Sequence, residues 1–102
     1  MTANIGTPQQ KVKFQRAHML VERKAYDKAE ALFREIIEID PKSMIGCQAS
    51  VSYGELLTLT DPDAAQLVLE AAIENMEAYP NEEVLDWDRE RAAQLLAALA
   101  EA

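Results

Sequence analysis

Three carboxylates crowd one short stretch of this chain, Asp86, Asp88 and Glu90 in "DWDRE". Paired carboxylates can act as general acid and base when their environments push them apart. On a helix, however, Asp86 and Glu90 stand at i, i+4 on one face while Asp88 points elsewhere, which is the ordinary pattern of a solvated surface. The single His18 has no Ser, Cys or Asp at a suggestive spacing, and the single Cys47 excludes both an internal disulfide and a Cys/His metal cluster. Cys47 lies among small residues and is expected to be a buried packing residue. "DPD" at 61–63 is explained by helix capping rather than by metal binding. With three glycines in the whole chain there is no phosphate-cradling loop. The sequence therefore points away from catalysis and calls for no cofactor or metal.

The elements that would position these residues are all helical. "YDKAEALFREIIEIDP", residues 26–41, places Ala29, Leu32, Phe33, Ile36 and Ile37 on one face and most of its charges on the other. Thr7, Pro8 and Gln10 form a helix start with a capping-box partner, opening a first helix to about Arg23. Ser43 is the expected cap of a third helix with the stripe Ile45, Ala49, Tyr53, Leu56 and Leu57. Gly46, Ser50 and Gly54 form a second, nearly bulk-free row that invites close approach of another helix. Asp61 and Pro62 open a fourth helix through about Tyr79, with Leu69, Ala72, Ile73 and Met76 inward. Pro80 then breaks the chain, and Asn81 is the expected cap of a fifth helix with Glu82 and Glu83 in its first turn. The reading is an all-α fold of two hairpins and a fifth helix, a flexible lead over 1–7 and a single domain over 8–102.

Composition sets limits. A chain of 102 residues, 49 % apolar and 27 % charged, is ordinary for one soluble domain. The N-terminus lacks a secretory pattern and no apolar run approaches a membrane span, so a reducing cytoplasmic setting is expected. The formal charge of −8 is uneven: residues 1–30 carry six basic and three acidic side chains, +3, which leaves −11 on the rest. Such a surface repels phosphate backbones, so a nucleic-acid partner is not expected and a basic protein partner is easier to accommodate.

The segment from Ala17 to Pro41 resembles the tetratricopeptide repeat (TPR) family. Ala29, Phe33 and Pro41 match its A-x3-F and closing proline. Counting back, Lys13, Arg16, Ala17 and Leu20 stand at the W-x2-L-G-x2-Y positions, and the charges at the first two fit a face open to water. The second unit, Pro41 to Pro80, is 39 residues long, with the excess in "LTLTDPD", and has Val68 and Ala72 where the family places a small residue and then an aromatic. The resemblance implies two repeats plus a C-terminal capping helix, acting as a non-enzymatic adaptor or chaperone-like module that binds a peptide or helix in a concave groove. Carried over by register, the groove set is Lys11, Phe14, His18 and Val21 from the first helix, Ile45, Gln48, Ser52 and Glu55 from the third, and Val84, Trp87, Arg91 and Gln94 from the fifth. Phe14, His18, Gln48 and Ser52 do not reproduce the clamp with which family members grip the acidic tails of heat-shock chaperones. The alternative is a self-assembling structural domain: "AAQLLAALA" at 92–100 has one polar side chain, and Leu95, Leu96 and Leu99 would form the interface of a homodimer.

Overall fold

Helix starts in this chain coincide with side chains that satisfy otherwise orphaned backbone donors. In the computed structural model, which describes residues 3–101, α1 spans Pro8–Glu22 behind Thr7. The Thr7 hydroxyl accepts from the Gln10 amide N–H at 3.1 Å, and the Gln10 side chain accepts from Thr7 N–H at 3.0 Å. α2 spans Tyr26–Ile39 without a side-chain cap. α3, Met44–Leu57, starts at Ser43, whose hydroxyl accepts from Gly46 N–H at 2.9 Å. α4, Pro62–Met76, starts at Asp61, which accepts from Ala64 N–H at 3.2 Å.

The fifth helix departs from expectation. A 3-10 turn at Glu83–Leu85 comes first, and α5 spans Asp86–Glu101 instead of starting beside Asn81. The cause is tertiary. The Arg89 guanidinium donates to the carbonyls of Tyr79 and Glu82 and pairs with Asp86 at 2.9 Å, gathering the chain after α4 into a turn. That turn drives Leu85 fully into the core at the foot of α5.

Among the described residues the result is an all-α array of five helices in which each helix packs chiefly on its chain neighbours and both α1 and α5 also touch α3. Gln10, near the start of α1, bonds to carbonyls at the end of α2, so those two run antiparallel. Asn75 near the end of α4 bonds to Pro41 ahead of α3, so that pair is antiparallel as well. No helix among the described residues is long and apolar enough to cross a membrane.

α3 carries far more than the single stripe its apolar spacing suggests. Ile45 and Ala49 join Ala17, Ala29, Phe33 and Ile36 in one core. Met44, Cys47 and Val51 join Leu69, Ala72, Met76, Leu85 and Ala92 in a second. Gly46, Ser50 and Gly54 are buried too, because α2 and α4 close on opposite sides of the helix. Leu69 lies against Gly54, and the chain at Asp40 and Pro41 runs against Gly46. Cys47 is fully buried, and burial raises its thiol pKa to about 11.

The lead segment, expected to be flexible, is tied down over residues 3–7. Met44 N–H donates to Asn4 O at 2.8 Å and Ile45 N–H to Ile5 O at 3.0 Å, which satisfies the first donors of α3. The Asn4 side chain donates to Asp40 at 3.0 Å. The Tyr79 hydroxyl, just past α4, donates to Lys42 O at 2.6 Å and reaches Asn4 O at 3.5 Å. Met1 and Thr2, the rest of that expected lead, lie outside the described residues.

α5 also corrects the expected dimer surface. Leu95, Leu96 and Leu99 are half-buried and pack on the core that contains Leu69, Met76 and Leu85. The leucines turn inward because their spacing along the second half of α5 sets them on the side that covers α4. Past Arg91, what α5 leaves to water is Ala93, Gln94, Ala97, Ala98, Ala100 and Glu101.

Candidate functional site: a groove across α1, α3 and α5

α1, α3 and α5 place their C-terminal half, C-terminal half and first turn, respectively, around one hollow of about 150 Å³. Its walls are His18 and Val21 from α1, Ser52, Glu55 and Leu56 from α3, and Trp87 from α5, with Phe33 of α2 beneath. Five residues of the expected groove set, His18, Val21, Ser52, Glu55 and Trp87, are thereby brought together. Trp87 is 64 % exposed, which is unusual for so large an apolar side chain.

The remaining expected residues separate by role. Arg91 Nε donates to Glu55 Oε1 at 2.7 Å and so fastens α5 to α3 at the groove's edge. The pair is half-exposed, so it positions the two helices more than it stabilises them. Gln94 receives Arg91 at 3.5 Å, outside the hollow. Lys11 is exposed on α1 away from the walls of the hollow, and Val84 is exposed in the 3-10 turn. Ile45 is 6 % exposed and is a core residue, because α3 rotates its first turn toward α2.

Phe14 does not line the hollow either. It is half-buried and meets Phe33 edge-on at 6.2 Å between ring centroids, and His18 at 4.4 Å. His18 in turn meets Phe33 at 5.7 Å. The three rings are mutually edge-to-face, so Phe14 and Phe33 set the imidazole's orientation from below.

Asp88, which points away from the face of Asp86 and Glu90, is only 7 % exposed, whereas Asp86 and Glu90 are open to water. Leu85, Asp88 and Ala92 lie at i, i+3 and i+7 and are all buried, a spacing that puts Asp88 on the inward face once Leu85 is recognised as core. The Gln48 side chain reaches its carboxylate, so Gln48 works beneath the groove rather than in its wall. Burial pushes the Asp88 carboxyl above the usual aspartate range; Gln48, the backbone of its own turn, His18 and Arg89 pull the other way without reversing it.

A pH dependence follows from that direction. The folded chain holds this proton more tightly than the unfolded chain, so between the ordinary aspartate pKa and the raised folded one the Asp88 contribution to stability falls as pH rises. Asp88→Asn should therefore raise the urea midpoint at about pH 7, and the gain should vanish below about pH 4, where the native carboxyl is protonated in both states. A variant less stable than the parent at neutral pH would show instead that the charge is favourable in the first turn of α5.

Among the described residues no group of three or more His, Cys, Asp or Glu side chains is placed to hold a metal ion. No family model matches the chain, and neither a curated protein nor a solved structure matches it.

Proposed function

We propose that this chain is a TPR-like, non-enzymatic interaction module whose groove across α1, α3 and α5 takes a peptide or short helical segment of a partner protein. The observation that carries the reading is Trp87, left 64 % exposed beside a hollow walled by three helices. An apolar ring held open to water over a small apolar pocket is what an interface anchor looks like before its partner arrives. The sequential antiparallel pairs and the parts of the repeat pattern at Ala29, Phe33 and Pro41 support the TPR-like description. The partner segment would place an apolar side chain on Trp87 and carry basic residues drawn by the net charge of −8. A cytoplasmic setting accords with the buried free thiol of Cys47.

A random peptide library panned on the immobilised protein tests this. Selected peptides should be rich in apolar and basic residues, should shift the emission of the chain's one tryptophan, and should lose about 1–3 kcal/mol of affinity with Trp87→Ala at unchanged helicity. Peptides that bind Trp87→Ala as tightly as the parent would remove the groove from the account.

A further inference from the structure

The two outermost helices each show water a face whose chemistry is the inverse of the other's. On α1 the outward stripe runs Val12, Arg16 and Met19 and continues to Arg23 just past its end, with Val12 55 % and Met19 50 % exposed. Val12 and Met19 are seven residues apart, as are Arg16 and Arg23, so apolar and basic groups run side by side along two turns. Lys13, at the edge of this stripe, is paired with Glu35 at 3.1 Å, whereas Arg16 and Arg23 enter no ion pair among the described residues. On α5 one exposed face, turned away from Trp87, runs Asp86, Glu90, Ala93, Ala97, Ala100 and Glu101, small or acidic with no basic group among them. Asp86 is engaged by Arg89; Glu90 and Glu101 enter no ion pair among the described residues. Beside this face, an apolar hollow of about 370 Å³ opens between α4 and α5, walled by Ile73, Met76 and Ala93, with Glu77 and Arg89 at its rim.

We propose that the outward face of α1 docks on the α4–α5 end of a second copy of this chain, head to tail. Bulky Val12 and Met19 then meet small alanines and the hollow between α4 and α5, and Arg16 and Arg23 meet Glu90, Glu101 and Glu77. The arrangement gives α1 and α5 what α2, α3 and α4 already have, a packed helix on both sides. A two-fold pairing of α5 with α5 would set Glu90 and Glu101 against their copies while Arg89 is already held by Asp86, which opposes association. Because the two faces differ, the contact is heterologous and adds copies without closing at two. It leaves the groove of α1, α3 and α5 untouched, so it stands or fails separately from peptide binding.

Two exposed-surface variants test it by light scattering and sedimentation. For the parent protein, average mass should climb above the 11.4 kDa monomer as concentration rises, and the climb should recede at high salt. Arg16→Glu with Arg23→Glu closes the α1 end by charge; Ala93→Tyr with Ala97→Tyr closes the α5 end by bulk, so the two altered ends do not attract each other. Each double variant alone should stay at the monomer mass, and an equimolar mixture should form dimers and nothing larger, since one open end of each kind remains. That mixture also shows that both variants are folded. A parent that is monomeric at all concentrations, an α1 variant that still associates, or a mixture that stays monomeric overturns the proposal.

Discussion

Replacing Gln10 with leucine is expected to lower stability by about 3–5 kcal/mol, a large part of the roughly 5–15 kcal/mol that holds a domain folded. Gln10 is fully buried and uses both ends of its amide completely. Its Nε2 donates to the carbonyls of Ile36 and Asp40, each at 2.9 Å, and its Oε1 accepts from Thr7 N–H at 3.0 Å and from the Ser43 hydroxyl at 3.1 Å. One side chain thus serves the first turn of α1, the last turn of α2 and the cap of α3. Leucine matches its volume and supplies none of these bonds, leaving helix-end carbonyls and an amide N–H buried without partners. Ser43 can turn toward Asp40 O, where it already donates at 3.2 Å, so its share of the loss is small. Urea denaturation measures the effect. A loss under about 1 kcal/mol would mean that water enters and takes over the amide's bonds.

The second large effect is expected at Gly46, where local and tertiary preferences conflict. In a solvated helix, alanine is favoured over glycine by about 1 kcal/mol. Here a Cβ on residue 46 would overlap Asp40 O and lie 3.0 Å from the Pro41 carbonyl carbon, both backbone atoms. The α2–α3 connection cannot yield without breaking the Ser43 cap and the Gln10 bonds, so Gly46→Ala should destabilise by about 3 kcal/mol or more. Gly54→Ala is the control. Its Cβ would meet Leu69 side-chain atoms at 2.6 Å, and a leucine can adjust its rotamer where a backbone carbonyl cannot. Equal losses at the two positions, again read from urea midpoints, would refute the distinction.

What could be read in advance from the sequence was whatever local chemistry decides. The caps at Thr7, Ser43 and Asp61 are each contacts across three residues, and all three form as expected. The breaks at Pro41 and before Pro62 are equally local. The start of α5 escaped because Arg89 reaches back ten residues to Tyr79, and nothing in the stretch after Pro80 announces that reach. Burial of α3 on both sides escaped for a related reason: periodicity reveals one stripe, and only the packing of α2 and α4 on opposite sides turns Cys47 and Val51 into core. In the groove, register alone was enough to set His18, Val21, Ser52, Glu55 and Trp87 around one hollow. It misplaced Ile45 and Phe14, because helix rotation about its own axis is fixed by side-chain volumes on neighbouring helices. The burial of Asp88 is carried by its spacing from Leu85 and Ala92, and Leu85 becomes core only once the turn held by Arg89 has formed.

The clasp between the Tyr79 hydroxyl and the carbonyls of Lys42 and Asn4 bears on how the chain folds in time. Nearly all other packing joins helices adjacent in sequence, so each step closes a loop no longer than a helical pair, and loop closure of that size is quick and entropically mild. The bond from Tyr79 to Asn4 spans 75 residues, and it has a fixed target only after α3 and α4 have brought Lys42 beside Tyr79. The lead segment is therefore the last piece to settle and the first to lift, a latch closed over an array already assembled beneath it.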